Sequence, residues 1–372
     1  MTPTSPQGST AMAAAGADTG LLGTQDVHTL KATLHRLAPG TPLRDALDRI
    51  VRGHTGALIV IGDDENVTSI CDGGFEFDVP FAATRLRELC KMDGAVILSS
   101  DIERIKRANV QLLPSPTWPT QESGTRHRSA ERTALHTGVP VIAVSESQNT
   151  ITLYVEGKAH MLEQPSTLLN RANQALGTME RYRDRLDQVD SRLHLAELHS
   201  YVTVIDVVSV IQREEMLRRV GESIDGDVLE LGKDAKQIQI QLSELRGDND
   251  REREAIIADY LVTDGIPADD EVHAALESIS ELDDKALMKP ANIARILGLP
   301  PTEEALDEPV VPRGYRTLNR VPRVQKFLMD KLIVEFGNLD ALLNASTEDL
   351  SAIEGVGSLW ARHITDGLGR LS

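Results

Sequence analysis

The apolar positions of the chain change their period along its length. Over the first part, short apolar runs alternate with amphipathic segments. "GALIVIG" and "GAVILSS" are uninterrupted runs of strand length, and "VPVIAVS", "NTITLYVEG" and "KAHMLE" add three more strands, the last two joined by a Glu-Gly-Lys turn. "GTPLRDALDRIVRG" offers Thr41 as N-cap and Pro42 at the first helical position, with Leu43, Leu47 and Ile50 along one face. "PFAATRLRELCKM" and "SAERTALHTG" read as further helices, and "NVQLLPSP" as a strand edge entering a Pro-rich loop. The pattern predicts one α/β domain over residues 24–164, a mixed β-sheet flanked by helices.

From Ser166 the strand signals largely vanish. Leu168, Leu169, Ala172, Leu176, Met179, Tyr182, Leu186, Val189 and Leu193 recur every 3.5 to 3.6 residues, which predicts a long amphipathic helix. Further helical segments follow, separated by "DGD", "RGDND" and "DGIPADD", so residues 165–300 read as a helical linker or spine. "PPTEEALDEPVVPRG" then supplies an acidic, Pro-rich linker over residues 301–314, and residues 315–372 form a small helical unit. The opening residues 1–23 are small, rich in Pro, Gly, Ser and Thr, and aperiodic; a disordered tail is expected, without the basic start and apolar stretch of a signal peptide.

Composition narrows the function. With 3% aromatic residues, base-stacking platforms for single strands are disfavoured. No apolar run approaches the roughly 20 residues of a membrane span, since even "YVTVIDVVSVI" is broken by Thr203, Asp206 and Ser209. Two cysteines without ligand spacing, Cys71 and Cys90, fit a reducing compartment, and the cytoplasm is the default location. The net charge of −18 is uneven: −4 over residues 1–165, −15 over 166–311 and +1 over 312–372. Arg313, Arg316, Arg320, Arg323 and Lys326 follow one another with no intervening acid, so a polyanion would be met at the C-terminal end.

Two stretches of the first domain carry candidate chemistry. In "MDGAVILS" an Asp-Gly pair precedes a buried strand; it is either an ordinary turn or a carboxylate held at the mouth of a sheet. In "GTRHRSAERTALHTG", Thr125 and Ser129 are N-cap-type residues before a helix, with Arg126, His127 and Arg128 clustered at its start. Cations there are electrostatically misplaced unless an anion visits. Free amides at a helix start and guanidinium forks both suit phosphate. The alternative is a basic helix start facing solvent.

Together "LCKMDGAVILS", "RANVQLLPSP" and "ESGTRHRSAERTA", in this order and spacing, resemble the diadenylate cyclase domain, whose signature elements are DGA and RHR. The resemblance implies condensation of two ATP molecules to cyclic di-3′,5′-adenylate with release of two pyrophosphates. It implies Asp93 as the catalytic carboxylate holding Mg²⁺ or Mn²⁺, with Gly94 allowing close approach of the nucleotide and Leu112 contacting the adenine. Thr125, Arg126, His127, Arg128 and Ser129 would hold the β and γ phosphates. Because each 3′-hydroxyl must meet the other nucleotide's α-phosphorus, two sites must face across a two-fold axis.

At the C-terminus, "EDLSAIEGVGSLWARHI" resembles a helix-hairpin-helix motif, and "LNRVPRVQKFLMDKLIVEFGNLDALL" a degenerate first copy turning at Val321-Pro322-Arg323. The resemblance implies sequence-independent grip on DNA phosphates by amides at Gly355, Val356 and Gly357 and by Arg320, Arg323 and Lys326. The alternative is a helical protein-interaction domain without DNA contact. A Schiff-base repair enzyme is disfavoured, because Ser358 follows the turn and the chain lacks a four-Cys cluster. Past residue 24 the whole arrangement resembles the DNA integrity scanning diadenylate cyclase family. That likeness implies a nucleoid-associated homo-octamer in which branched DNA suppresses cyclase activity. A non-catalytic DNA-binding sensor that merely holds nucleotide is the alternative.

Overall fold

Eight strands hydrogen-bond into one sheet in the order β2-β5-β4-β1-β6-β7-β8, with β3 added to β5. The computed structural model describes residues 29–371, so the expected tail over residues 1–23 lies outside the described residues. The chain divides into two units, residues 1–163 and 164–372. In the first unit the strands are β1 (Ala57–Ile61), β2 (Cys71–Asp72), β3 (Phe75–Pro80), β4 (Ala95–Leu98), β5 (Arg104–Leu112), β6 (Val141–Val144), β7 (Ile151–Val155) and β8 (Lys158–Leu162). The helices are α1 (Leu30–Leu37), α2 (Pro42–Arg52), α3 (Glu65–Ser69), α4 (Ala83–Leu89) and α5 (Thr125–Thr137). Only β1 and β4 run parallel; the other pairs are antiparallel, which makes the sheet mixed.

The apolar runs are continuous because both faces of the central strands are covered. Every residue of β1, β4, β6 and β7 is buried. Alternate residues Leu58, Val60, Ala95, Ile97, Val141 and Ala143 pack in one cluster with Ala130 and Ala134 of α5 and Val67 of α3. By the two-residue alternation of a strand, Ile59, Ile61, Val96 and Leu98 face the opposite side, where α2 touches β6 and α4 touches β5. Thr41 caps α2 by accepting the Arg44 N–H at 3.2 Å, with Pro42 at its start. Glu156 and Gly157, both at positive φ, form the two-residue turn between β7 and β8.

The second unit is helical: α6 (Pro165–Leu198), α7 (Val204–Leu231), α8 (Lys236–Arg246), α9 (Asn249–Tyr260), α10 (Asp269–Ser280), α11 (Asp284–Leu287) and α12 (Pro290–Ile296). Five short or medium helices follow: α13 (Tyr315–Asn319), α14 (Lys326–Phe336), α15 (Leu339–Leu343), α16 (Thr347–Ser351) and α17 (Ser358–Leu371). The stripe Leu168, Ala172, Leu176, Met179, Leu186 and Leu193 is buried in α6, and one apolar core continues from it to Leu368 in α17. Residues 301–314 lie against this core. Val310 N–H donates to Val202 O (2.9 Å), and Arg313 Nη1 donates to the carbonyls of Ala258 and Asp259 (3.1 and 3.0 Å).

A buried charge network ties α13 to the long helices. Arg316 is buried and pairs with Asp190 and Glu197 of α6, and Glu197 also accepts the Tyr260 hydroxyl (2.7 Å). Asp259 accepts three amides, from Gly314, Tyr315 and Arg316, at 2.6–2.8 Å. Burial still pushes the Asp259 carboxyl up to about 7, with nearby Glu197 adding to the rise.

Candidate active site

The strand registers bring the predicted residues of the first unit to one end of the sheet. Ile59 lies beside Val96 in the parallel pair, so Gly56 and Asp93, which precede β1 and β4, lie at the same end of neighbouring strands. Ala57 opposes Val144, which places Gly56 opposite Ser145 on its other side. Ala95 opposes Val110, which brings Leu112, at the end of β5, to the same end of the sheet. The ends of β5, β4, β1 and β6 that carry Leu112, Asp93, Gly56 and Ser145 are therefore neighbours in the sheet.

Asp93 is exposed and makes no hydrogen bond or ion pair among the described residues, so its carboxylate is free to take a ligand. Gly94 follows at φ +90, and a Cβ there would lie 2.7 Å from Val110 O and 3.0 Å from the Asn109 carbonyl carbon. The absence of a side chain thus lets the turn before β4 lie against the β5 backbone. Leu112 is buried in the sheet core, so a purely side-chain contact with a base is limited to its remaining 9% exposure.

The basic triplet sits differently from the expectation. The helix begins at Thr125 and not at Ser129, with Gly124 as N-cap and no side-chain cap. Thr125 and Ser129 are therefore helical residues, and the triplet lies in the first turn. Glycine is an acceptable cap, which is why the start was hard to see. The N–H groups of Thr125, Arg126 and His127 have no acceptor among the described residues; that of Arg128 donates to Gly124 O (2.9 Å). Neither Arg126 nor Arg128 has a carboxylate within ion-pair range among the described residues. A helix start with free donors and unpaired guanidinium groups favours an anion.

A cavity of about 520 Å³ opens at this helix start, lined by His54, Gly124, Thr125, Arg126, His127 and the segment Ser145–Ser147. Asp93, Gly94, Leu112, Arg128 and Ser129 are not among its lining residues; the first three occupy the adjoining strand ends. The Arg126 guanidinium lies over Gly56, where a Cβ would be 2.0 Å from Nη1. It also lies near the buried Cys90: burial pushes that thiol up to about 12, and the Arg126 charge opposes the rise. The His127 ring packs edge-on against the buried Tyr154, with centroids 6.4 Å apart. Tyr154 donates to Glu122 Oε1 (2.8 Å), and burial followed by that carboxylate drives its pKa upward. The approach loop is held by the same helix: Arg132 donates to Trp118 O (3.0 Å), and Thr120 donates to Glu131.

Gly56, His54 and Ser145–Ser147 were missed by sequence reasoning. One signal was available: "GALIV" and "GAVIL" are both glycine-led strands, and they prove to be parallel neighbours.

The second unit presents two similar turns. Val324 N–H donates to Val321 O (3.4 Å) and Val356 N–H donates to Ile353 O (3.0 Å), each just before a helix. Arg323 at φ +68 takes the place in the first turn that Gly355 at φ +92 takes in the second. Val356 is buried and its amide is already used, leaving the Gly355 and Gly357 amides free among the described residues. Arg320 pairs with Asp190, and Lys326 with Asp269. Arg323 is exposed and unpaired among the described residues.

A mixed α/β domain with this sheet-end site matches the family described as "DisA bacterial checkpoint controller nucleotide-binding" over residues 44–159. Residues 162–306 match the "DisA bacterial checkpoint controller linker region". The chain is 95% identical over 350 residues to the "DNA integrity scanning protein DisA" of Corynebacterium glutamicum strain R, covering 94% of this chain and 96% of that one. It is 50% identical over 348 residues to the protein of the same name from Frankia alni, covering 92% and 95%. The chain belongs to the DNA integrity scanning protein family and is a diadenylate cyclase. Among the described residues, no helix is long and apolar enough to cross a membrane.

Proposed function

We propose that the first unit joins two ATP molecules into cyclic di-3′,5′-adenylate, and that the second carries tandem helix-hairpin-helix motifs that bind DNA without reading sequence. The observation that carries the cyclase reading is the seating of Arg126 over Gly56, one strand from Asp93, beneath an uncapped helix start. Asp93 precedes β4, the strand beside β1 in the sheet, which supports reading Asp93 and Arg126 as parts of one site.

Asp93 fits a divalent cation: its carboxylate is exposed and unpaired, and oxygens of a bound triphosphate would complete the shell. Among the described residues no group of three or more His, Cys, Asp or Glu could hold a metal alone, which suits a site completed by substrate. Mg²⁺ or Mn²⁺ held there would supply acidification of the 3′-hydroxyl and charge compensation at the α-phosphorus. Arg126 and the amides of Thr125 to His127 would bind the β and γ phosphates, with Arg128 at the rim. They would stabilise the charge that builds on leaving pyrophosphate. Gly94 sets the height of Asp93 against β5, and Leu112 closes the row at the adenine side.

In each half-reaction one 3′-oxygen loses its proton and bonds the other nucleotide's α-phosphorus. The bond from that phosphorus to the bridging oxygen breaks, and pyrophosphate departs. Closing the ring repeats the step with the roles exchanged, so two protomers must face each other. An octamer with paired cyclase units, tuned by branched DNA at its hairpins, is the assembly we infer, in the cytoplasm with the nucleoid.

Incubation with ATP and Mn²⁺ should yield a cyclic dinucleotide and two equivalents of pyrophosphate. Recovery of ATP alone would instead support a nucleotide-holding sensor. Fluorescence anisotropy with a four-way junction tests the second unit: affinity should fall steeply as salt rises.

A further inference from the structure

We infer that Gly56 is a positioning residue for the cyclase reaction: it leaves open the seat in which the Arg126 guanidinium lies at the helix-start cavity. The inference rests on the phosphate-binding reading of Arg126 given above.

Gly56 precedes β1, and its backbone is not in the left-handed region, so conformation alone does not demand glycine there. What demands it is space. A Cβ would lie 2.0 Å from Arg126 Nη1, 2.4 Å from Cζ and 2.7 Å from Nη2, all far below a van der Waals contact. The three atoms belong to one guanidinium, so the group lies across the Cα of Gly56 with no side chain between. The row of strand ends sets what this achieves. Gly56 leads β1, whose neighbours in the sheet are β4, which Asp93 precedes, and β6, which Ser145 follows, so a guanidinium over it lies at the sheet end that carries all three.

The clashing atoms are the far end of a long, flexible side chain. An added methyl group would therefore turn Arg126 out of its seat at little cost to the fold. That separates a positioning role from a structural one: stability should survive where phosphate binding does not.

The test uses the full chain and four proteins: wild type, Gly56→Ala, Arg126→Ala and the double variant. Initial rates of cyclic dinucleotide formation are measured against ATP, together with inhibition by pyrophosphate. Gly56→Ala should melt within a few degrees of wild type. It should lose about ten- to a hundredfold in kcat/KM and weaken pyrophosphate inhibition in parallel, the scale of one charge-assisted contact. The double variant should be no worse than Arg126→Ala alone, because both changes remove the same contact. Impaired Arg126→Ala with normal Gly56→Ala would overturn this inference and leave the phosphate reading standing. Losses that multiply in the double variant would overturn it too. A Gly56→Ala chain that fails to fold while the double variant folds would show that the guanidinium cannot move aside, and would also overturn it. Wild-type kinetics in Arg126→Ala would defeat the phosphate reading and take the inference with it.

Discussion

Replacing Gly94 by alanine should damage the first unit more than the same change at Gly73, although both glycines sit at positive φ in turns beside β5. Gly73 at φ +64 has nothing within 4 Å of its would-be Cβ, so alanine there adds only backbone strain, about 1–2 kcal/mol. Gly94 at φ +90 carries the same strain, and its Cβ would meet the Val110 and Asn109 backbone at 2.7 to 3.0 Å. Main-chain atoms of a paired strand cannot swing aside as a side chain does. Overpacking of this kind adds about 1–3 kcal/mol, so Gly94→Ala should cost about 2–5 kcal/mol in all. The chain has two tryptophans, Trp118 and Trp360, one in each unit. Urea unfolding followed by Trp118 fluorescence in a Trp360→Phe background therefore isolates the first unit. The midpoint should fall for both variants at an unchanged slope, and further for Gly94→Ala. Equal midpoints for the two variants would refute the argument that the β5 backbone, and not the turn alone, requires glycine before β4.

Other predictions follow from the second unit. Burial pushes the Glu214 carboxyl up to about 8, against the opposing charge of Arg316. Between the ordinary carboxylate range and pH 8 the folded chain then holds a proton that the unfolded chain has lost. The buried acid therefore lowers stability as pH rises through that window, by about 5 kcal/mol in total, and its effect flattens above it. Glu214→Gln should remove most of that slope in melts run from pH 5 to 9; an unchanged slope would count against the buried acid. Arg316→Met leaves Glu197 without its buried cation, while Asp190 keeps Arg320. It should cost about 3–5 kcal/mol in the transition read by Trp360 in a Trp118→Phe background. Arg323→Ala should weaken junction binding at low salt more than Arg320→Ala, because Arg320 is engaged by Asp190 while Arg323 is exposed. Equal losses would argue that the Asp190 pair opens when DNA arrives.

Local chemistry made much of this fold legible. Thr41 and Pro42 announce α2, Glu156-Gly157 announces the last hairpin, and the stripe from Leu168 to Leu193 announces α6. Each signal is complete within a few turns of chain. β3 was missed because "FEFDVP" is an exposed edge strand: Phe75 and Phe77 are largely exposed, so no buried run marks it. The site was legible in part. Asp93-Gly94 and the basic triplet stand out in the sequence, but which strand ends are neighbours depends on sheet order, which no local pattern specifies. Gly56 comes to the same sheet end as Asp93 only through the parallel pairing of β1 with β4. The hairpin cations were the hardest to read. Arg320 and Lys326 find carboxylates at Asp190 and Asp269, far away in sequence, so a run without intervening acid did not mean a run without partners.

The most direct test is ATP turnover by wild type and Asp93→Asn in Mn²⁺, with nucleotide binding and oligomer size measured on the same samples. Wild type should form the cyclic dinucleotide. The variant should keep its assembly and still bind ATP, yet lose turnover by orders of magnitude. Asp93→Asn turning over at near the wild-type rate would contradict the account.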